Sequence, residues 1–405
     1  MRFVAAAVAS FLAASLGWAQ ETKAPIRVTI SVPKGQAEKK SAAINVGGKK
    51  LSAQLLPPSV SVTAQPKDGE VLRDLCFLAD ASSDGVATPK IESFEEALDQ
   101  NSPSFSWKNG DDHDDLNLGD RPVMRYMHRK YDPSTPDARN KSYKVFHHLW
   151  DPAGKRFVTN GGQTNENATD TKKLLFPHHR GLMFGFNRIS YGEKKSADTW
   201  HCTGDAHVSH VKTLSQDAGP IVARHVVLLT WHGPKNEVFA EEEREMTVWN
   251  VGEGTVVDFA TRLKSKVGKV RLDGDPQHAG FQFRAHNDVA EKTAKQTYYL
   301  RPDGKDAPGK TRNWPGDKTH INLPWDVASF VLDDQRYSVA YIDSPNNPGE
   351  KRHSERDYAR FGCYFEYGLT EERPLVLNHR VWLVKGELTK EQVDRQRGWF
   401  VGGGR

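Results

Sequence analysis

From Ile26 onward, apolar residues come in short alternating or continuous runs broken by Gly, Pro, Asn and Asp, the pattern of strands with one or both faces buried. Residues 28–32, 59–63, 225–231, 246–249, 256–263, 337–342 and 376–384 read as strands. Helix signals are few. Ser93-Phe94-Glu95-Glu96 and Thr389-Lys390-Glu391-Gln392 each fit a capping box and predict one short helix apiece. The fold class predicted is mainly β, a large antiparallel β-sandwich with few short helices. Residues 20–105 form an N-terminal β region, 120–390 the main sandwich and 391–405 a short C-terminal helix and tail. Polar connections at 132–140, 160–171, 303–319 and 346–354 are long enough to build a site at one end of such a sandwich.

The first nineteen residues follow a different pattern. Met1-Arg2 gives a positive start, 3–18 is apolar, and Gly17-Trp18-Ala19 places small residues before a cut at Gln20. This reads as a signal peptide over 1–19 and predicts export to the periplasm or the extracellular space. Beyond it no apolar run approaches the roughly 18 to 20 residues of a spanning helix, so no membrane span is expected once the signal is cleaved.

Composition narrows the class further. The chain has 405 residues, 37% of them hydrophobic and 27% charged, which excludes a disordered tail protein and a multispanning one. The net charge of +4 comes from interleaved signs rather than a basic stripe, so no nucleic-acid partner is expected. Cys76, Cys202 and Cys363 match no CxxC motif, and an odd number leaves one unpaired within the chain. No Walker loop, GxSxG elbow or dinucleotide fingerprint is present.

Histidine carries the chemical signal. Nine of the sixteen lie between His147 and His232, and imidazole is both the commonest metal ligand and the general acid/base of neutral pH. His178-His179-Arg180-Gly181 joins imidazole, guanidinium and a glycine that lets a ligand approach, against the plainer reading of a loop arginine paired to the fold. On a strand through Phe281-Gln282-Phe283-Arg284-Ala285-His286, the apolar residues belong to the core and Gln282, Arg284 and His286 to the opposite face, with His278 just upstream. Glu355, Arg356 and Arg360 form a mixed charge cluster that serves either a ligand or a structural ion-pair network. His148, Trp200 and Trp325 are further candidates for substrate contact, the tryptophans as flat platforms or as plain packing. No motif calls for a cofactor. The alternative is a divalent metal on His201, His207 and His210.

Tyr143-Lys144-Val145-Phe146-His147-His148-Leu149-Trp150-Asp151-Pro152, Pro177-His178-His179-Arg180-Gly181, Asp198-Thr199-Trp200-His201-Cys202, Glu243-Arg244-Glu245, Gly274-Asp275-Pro276-Gln277-His278 and Ser354-Glu355-Arg356-Asp357-Tyr358 follow one another in order. This string resembles the secreted bacterial PmoA-like family, whose members are often labelled "methane oxygenase PmoA", over about residues 25–395. The resemblance implies a large sandwich of the kind seen in sugar mutarotases and polysaccharide-degrading enzymes.

The resulting expectation is an exported carbohydrate-active protein acting on a glycan by acid–base chemistry, as a hydrolase, lyase or epimerase. His178, His179 and His278 would carry protons, Arg180 would anchor the substrate, and Glu355 would orient or stabilise charge. Two other classes stand beside it, a metal-dependent oxidative enzyme and a non-catalytic glycan-binding or envelope protein.

Overall fold

The computed structural model describes residues 23–80, 87–96, 98, 103–161, 176–275 and 277–402. Residues 1–19, where a signal peptide is expected, and most of the loop 160–171 lie outside the described residues.

Two large antiparallel sheets make the body. One has nine strands in the order His207–Ala218, Val222–His232, Val238–Trp249, Thr255–Ser265, Leu375–Lys385, Gln335–Asp343, Trp325–Leu332, Tyr298–Arg301 and Gly304–Lys305. The other has eight, in the order Arg352–Arg356, Arg360–Tyr364, Ala279–Arg284, Leu182–Phe186, Phe146–Leu149, Arg121–Met127, His113–Leu118 and Phe105–Asn109. Alternation along each strand decides what lies between them. Val257, Phe259 and Leu263 enter the shared core, where Phe259 stacks on Phe281 with ring centroids 4.0 Å apart. Phe184 meets Trp231, and Phe283 meets Phe330, across the same gap. The mainly β sandwich expected from the pattern is therefore the fold. A four-stranded sheet of Lys195–Ala197, Arg188–Tyr191, Val270–Asp273 and Tyr367–Leu369 flanks one end.

An N-terminal sheet, ordered Lys23–Pro33, Glu70–Asp80, Lys49–Leu56, Ser41–Val46 and Lys90–Glu95, covers the other face of the nine-stranded sheet. That cover explains why Trp325–Leu332 is buried at every position and reads as a continuous apolar run. The seam between these layers is partly ionic. Arg224 donates to Asp74 at 2.8 Å, Arg27 to Glu245 at 3.1 Å, and Arg380 to Asp258 at 2.6 and 3.0 Å. Burying such charges singly is prohibitive, so each cation meets a carboxylate.

Three local expectations changed. Ser93-Phe94-Glu95-Glu96 starts no helix: residues 90–95 form an edge strand, where a bulge at Glu92 brings Ile91 and Phe94, three positions apart, to the same N-terminal core. Residues 59–63, following Pro57-Pro58, form no strand but a strap across the nine-stranded sheet. There Val60 N donates to Glu245, and Arg262 donates to the carbonyls of Val60 and Val62. A helix, Pro136–Ser142, sits within the stretch read as loop, its first turn capped by Thr135 Oγ1 accepting from Ala138 N. The C-terminal box behaves as predicted: Thr389 N donates to Gln392 Oε1, Gln392 N donates to Thr389 Oγ1, and helix Lys390–Gly402 follows. Cys76, Cys202 and Cys363 are buried free thiols. No helix among the described residues is long and apolar enough to cross a membrane.

Candidate functional site

The site grows from strand Ala279–Arg284. Phe281 and Phe283 point into the sandwich, so Gln282 and Arg284 stand on the outer face of the eight-stranded sheet. Register places Arg360 of the next strand directly opposite Arg284. Arg284 lies over the Tyr358 ring at 4.5 Å and donates through Nη1 to the carbonyls of Ala285 and Tyr358. Its Nε and Nη2 have no partner. Arg360 donates to Gln282 Oε1 and Ser354 Oγ, and its Nε is likewise unpartnered. Burial pulls the Arg284 guanidinium down to about 10 and lowers Arg360. Among the described residues neither forms an ion pair with a carboxylate.

Two turns bring imidazoles over this pair. The turn 176–181 is not a strand, so adjacent His178 and His179 both reach the site, with ring centroids 4.2 Å apart. His179 N donates to Phe176 O, and Asn160 Nδ2 donates to His179 O. Gly181 has φ +40°, and a Cβ there would come within 2.1 Å of the His147 carbonyl oxygen, so only glycine closes the turn. The second turn carries Asp198, whose Oδ1 accepts from the backbone N–H groups of Trp200 and His201 and whose Oδ2 meets His201 Nδ1 at 2.8 Å. His278 repeats the device with Asp275, Nδ1 to Oδ1 at 2.9 Å, while Asn187 Nδ2 donates to the other oxygen. Burial works against the Asp275 charge, but the hydrogen bond and charge of His278 outweigh it and hold the carboxyl well below its ordinary range. Lys144 ties the two turns together, donating to the carbonyls of His178 and Trp200. Its ammonium is pulled down to about 8 by burial.

One ring nitrogen from each of His178, His201 and His278 lies within 4.8 Å of the others. Trp200 floors the group, edge-on to His179 and His278 at 5.6 and 6.2 Å. His178 Nε2 and both ring nitrogens of His179 are buried without a partner among the described residues. Burial, then the charges of Lys144, His201 and His278, push His178 down to about 2. Burial and Arg360 push His179 well below its ordinary value. Both are neutral imidazoles at neutral pH, able to take a proton or donate a lone pair.

The sequence candidates divide accordingly. His178, His179, His278, His201, Trp200, Arg284 and Arg360 meet here. Arg180 turns away: it lies over the Tyr143 ring at 4.4 Å and donates to the Pro177 and Asn140 carbonyls. With His148 it lines a separate hollow of about 290 Å³, where His148 stacks on Phe157. Glu355 is no site residue. Strand alternation turns it inward, where Arg301 grips it through Nε and Nη2 and His320 lies at 3.2 Å. Arg356 holds Asn313 Oδ1 at the sheet edge. Trp325 is buried beyond the nine-stranded sheet, donating to Asp394 of the C-terminal helix. His207 stacks between Tyr131 and His232, and His210 packs on Tyr126 and His128, so the set His201, His207 and His210 does not assemble. What the histidine reading missed is a repeated Asp-x-x-His, Asp198–His201 and Asp275–His278, together with Lys144 and Tyr358.

Comparison with known proteins places the chain in a family without assigning an activity. No curated protein matches. Solved structures with some likeness include the galactosidase domain of an alpha-galactosidase–sucrose kinase, 8% identical with a TM-score of 0.38, covering 70% of this chain and 41% of that one. A putative mutarotase from Salmonella typhimurium is 11% identical with a TM-score of 0.32, covering 72% and 97%. A galactose mutarotase related enzyme from Lactobacillus acidophilus is 9% identical with a TM-score of 0.28, covering 71% and 98%. Likeness at this level carries no statement about chemistry. The resemblance to the PmoA-like family is overturned, because the family model that the chain matches is a different one. That model spans residues 114–397 and thus every residue of the site, and the chain belongs to DUF6807, a family of unknown function.

Proposed function

We propose that this is an exported carbohydrate-active enzyme whose substrate is an acidic glycan, and that its reaction is proton abstraction beside a sugar carboxylate. The observation that carries the proposal is the pairing of Arg284 with Arg360: two buried guanidiniums side by side, without a carboxylate, next to the neutral imidazole of His179. Cations so placed favour an anion that arrives with the ligand, and a bidentate guanidinium fits a carboxylate. The incoming carboxylate neutralises the Arg360 and Arg284 charges that help to depress His179, so its imidazole regains basicity. It takes the proton from the carbon next to that carboxylate, while the electron pair moves into the carboxylate, where the arginines stabilise the added charge. The pair then either reclaims a proton from water on the opposite face, giving the epimer, or expels the neighbouring glycosidic oxygen, which leaves as a hydroxyl with the proton His179 took, giving an unsaturated sugar. Two-carboxylate hydrolysis fits less well, because Asp198 and Asp275 are both committed to histidines and backbone amides.

The test is a panel of uronic-acid-containing and neutral polysaccharides, with product followed by ultraviolet absorbance of the unsaturated sugar and by NMR for epimers. Turnover confined to acidic members supports the proposal. Binding of acidic members without turnover would favour the non-catalytic glycan-binding reading, and neither binding nor turnover would sink both.

A further inference from the structure

We infer that His178, His201 and His278 hold one divalent transition-metal ion, each through one ring nitrogen, with the remaining positions open to an anionic ligand. The inference adds an electrophile to the site proposed above and rests on that proposal only for what the open positions receive.

Three observations converge. The three ring nitrogens lie within 4.8 Å of one another. Nitrogens bound to one ion at about 2.1 Å stand roughly 3.4 Å apart in a tetrahedral set, so each ring needs to move inward by no more than about 0.8 Å. Second, the two Asp-x-x-His units engage Nδ1 of His201 and of His278, which leaves Nε2 of both available to a ligand. A carboxylate on the far nitrogen fixes the tautomer and raises the basicity of a metal-bound imidazole. Both carboxylates are themselves held, Asp198 by two backbone N–H groups and Asp275 by Asn187 and Gln277 N. Third, His178 Nε2 is buried with no hydrogen-bond partner among the described residues.

Ligand chemistry sets the metal class. Three neutral imidazoles suit Zn²⁺, Co²⁺, Ni²⁺ or Fe²⁺ and disfavour Ca²⁺ or Mg²⁺. Three protein ligands also leave the coordination open, as in catalytic rather than structural sites. The bound ion keeps its double positive charge, and Arg284 and Arg360 add two more nearby, so an anion completes the site.

The full chain, free of any affinity tag and stripped of metal, is dialysed against Zn²⁺ or Co²⁺ and its metal content measured. About one ion per chain is expected, with Co²⁺ giving the visible absorption of a low-coordinate nitrogen site. Asp275→Asn and Asp198→Asn should each weaken binding by about 10- to 100-fold with the circular dichroism unchanged. His207→Ala and His210→Ala should bind as the parent does. Uptake below roughly one ion per ten chains by natively folded parent protein overturns the inference, as does uptake undiminished in His201→Asn/His278→Asn. A metal-binding chain that turns over no glycan keeps this inference and removes the proposed function. Full turnover by protein that takes up no added metal does the reverse.

Discussion

Arg284 and Arg360 sit opposite each other on paired antiparallel strands, both buried and neither facing a carboxylate. Like charges across a strand pair destabilise the sheet, and the rest of the molecule shows how this chain treats buried cations it needs only for folding. Arg224, Arg301 and Arg380 each receive a buried carboxylate. Arg180 and Lys144, buried without a carboxylate, are met by backbone carbonyls, whereas Arg284 and Arg360 keep N–H groups with no partner among the described residues, and that partner is sought in a ligand.

Replacing Arg360 with Met should leave stability unchanged or raise it by up to about 1 kcal/mol, since a desolvated, repelled charge disappears. Affinity for an acidic glycan should fall by 100-fold or more, with neutral glycans unaffected. Denaturant unfolding and calorimetric binding measure the two effects. A destabilisation of several kcal/mol without loss of binding would assign Arg360 to the scaffold.

His179→Gln keeps a polar side chain under Trp200 and Tyr358 but cannot accept a proton in the relevant range. Turnover should drop by about 10²- to 10⁴-fold, the usual contribution of a general base, while substrate binding stays within a few-fold. A rate unchanged by this substitution would move the proton transfer to another group.

Much of this was legible in the chain. The period-2 runs give the sandwich, and the alternation through Phe281, Gln282, Phe283 and Arg284 already separates the core face from the site face. The C-terminal capping box closes reciprocally because nothing tertiary competes with it. Its counterpart at Ser93 fails because edge pairing with 41–46 buries Ile91 and Phe94. Assembly of the site was harder to read. Which of two adjacent histidines reaches a pocket depends on the backbone, and the turn at Gly181, fixed by contact with the His147 carbonyl, delivers both. Glu355 looked like a site acid because its neighbours in sequence are charged. Its partners, Arg301 and His320, lie 54 and 35 positions away and appear only in the folded chain. The Asp-x-x-His spacing, present three times in the chain, would have narrowed the sixteen to His201, His278 and His320.

The ionic seam under the N-terminal sheet gives a sharper stability test. Asp74→Ala leaves buried Arg224 with only one of its two carboxylates, Glu245 at 3.3 Å, and should cost about 3 kcal/mol. Asp74→Leu combined with Arg224→Met removes the stranded charge and should recover most of that loss. Chemical denaturation of the three chains decides it. Equal losses in the single and double variants would mean that the pair stabilises by packing alone.

Buried histidines make the fold sensitive to mild acid, and the sign follows from where they titrate. Burial is the main cause that pushes His148 and His353 down to about 3 and His225 down to about 4. All three are neutral in the fold at any pH above those values. In the unfolded chain they titrate near 6.5, so between about 6.5 and their folded values the unfolded state binds more protons. Their contribution to stability is complete above about pH 6.5 and is lost as the pH falls, at up to roughly 1.4 kcal/mol per pH unit for each. By pH 5 each has cost roughly 2 kcal/mol, and three together approach the net stability of an ordinary domain. The melting temperature should therefore fall by on the order of ten degrees between pH 7.5 and pH 5. His225→Phe should shallow that slope by about one proton's worth, since a phenyl ring in the same buried place takes up no proton on unfolding. A melting temperature flat across this range would mean that the imidazoles ionise within the fold, and with it would go the neutral state assigned to them.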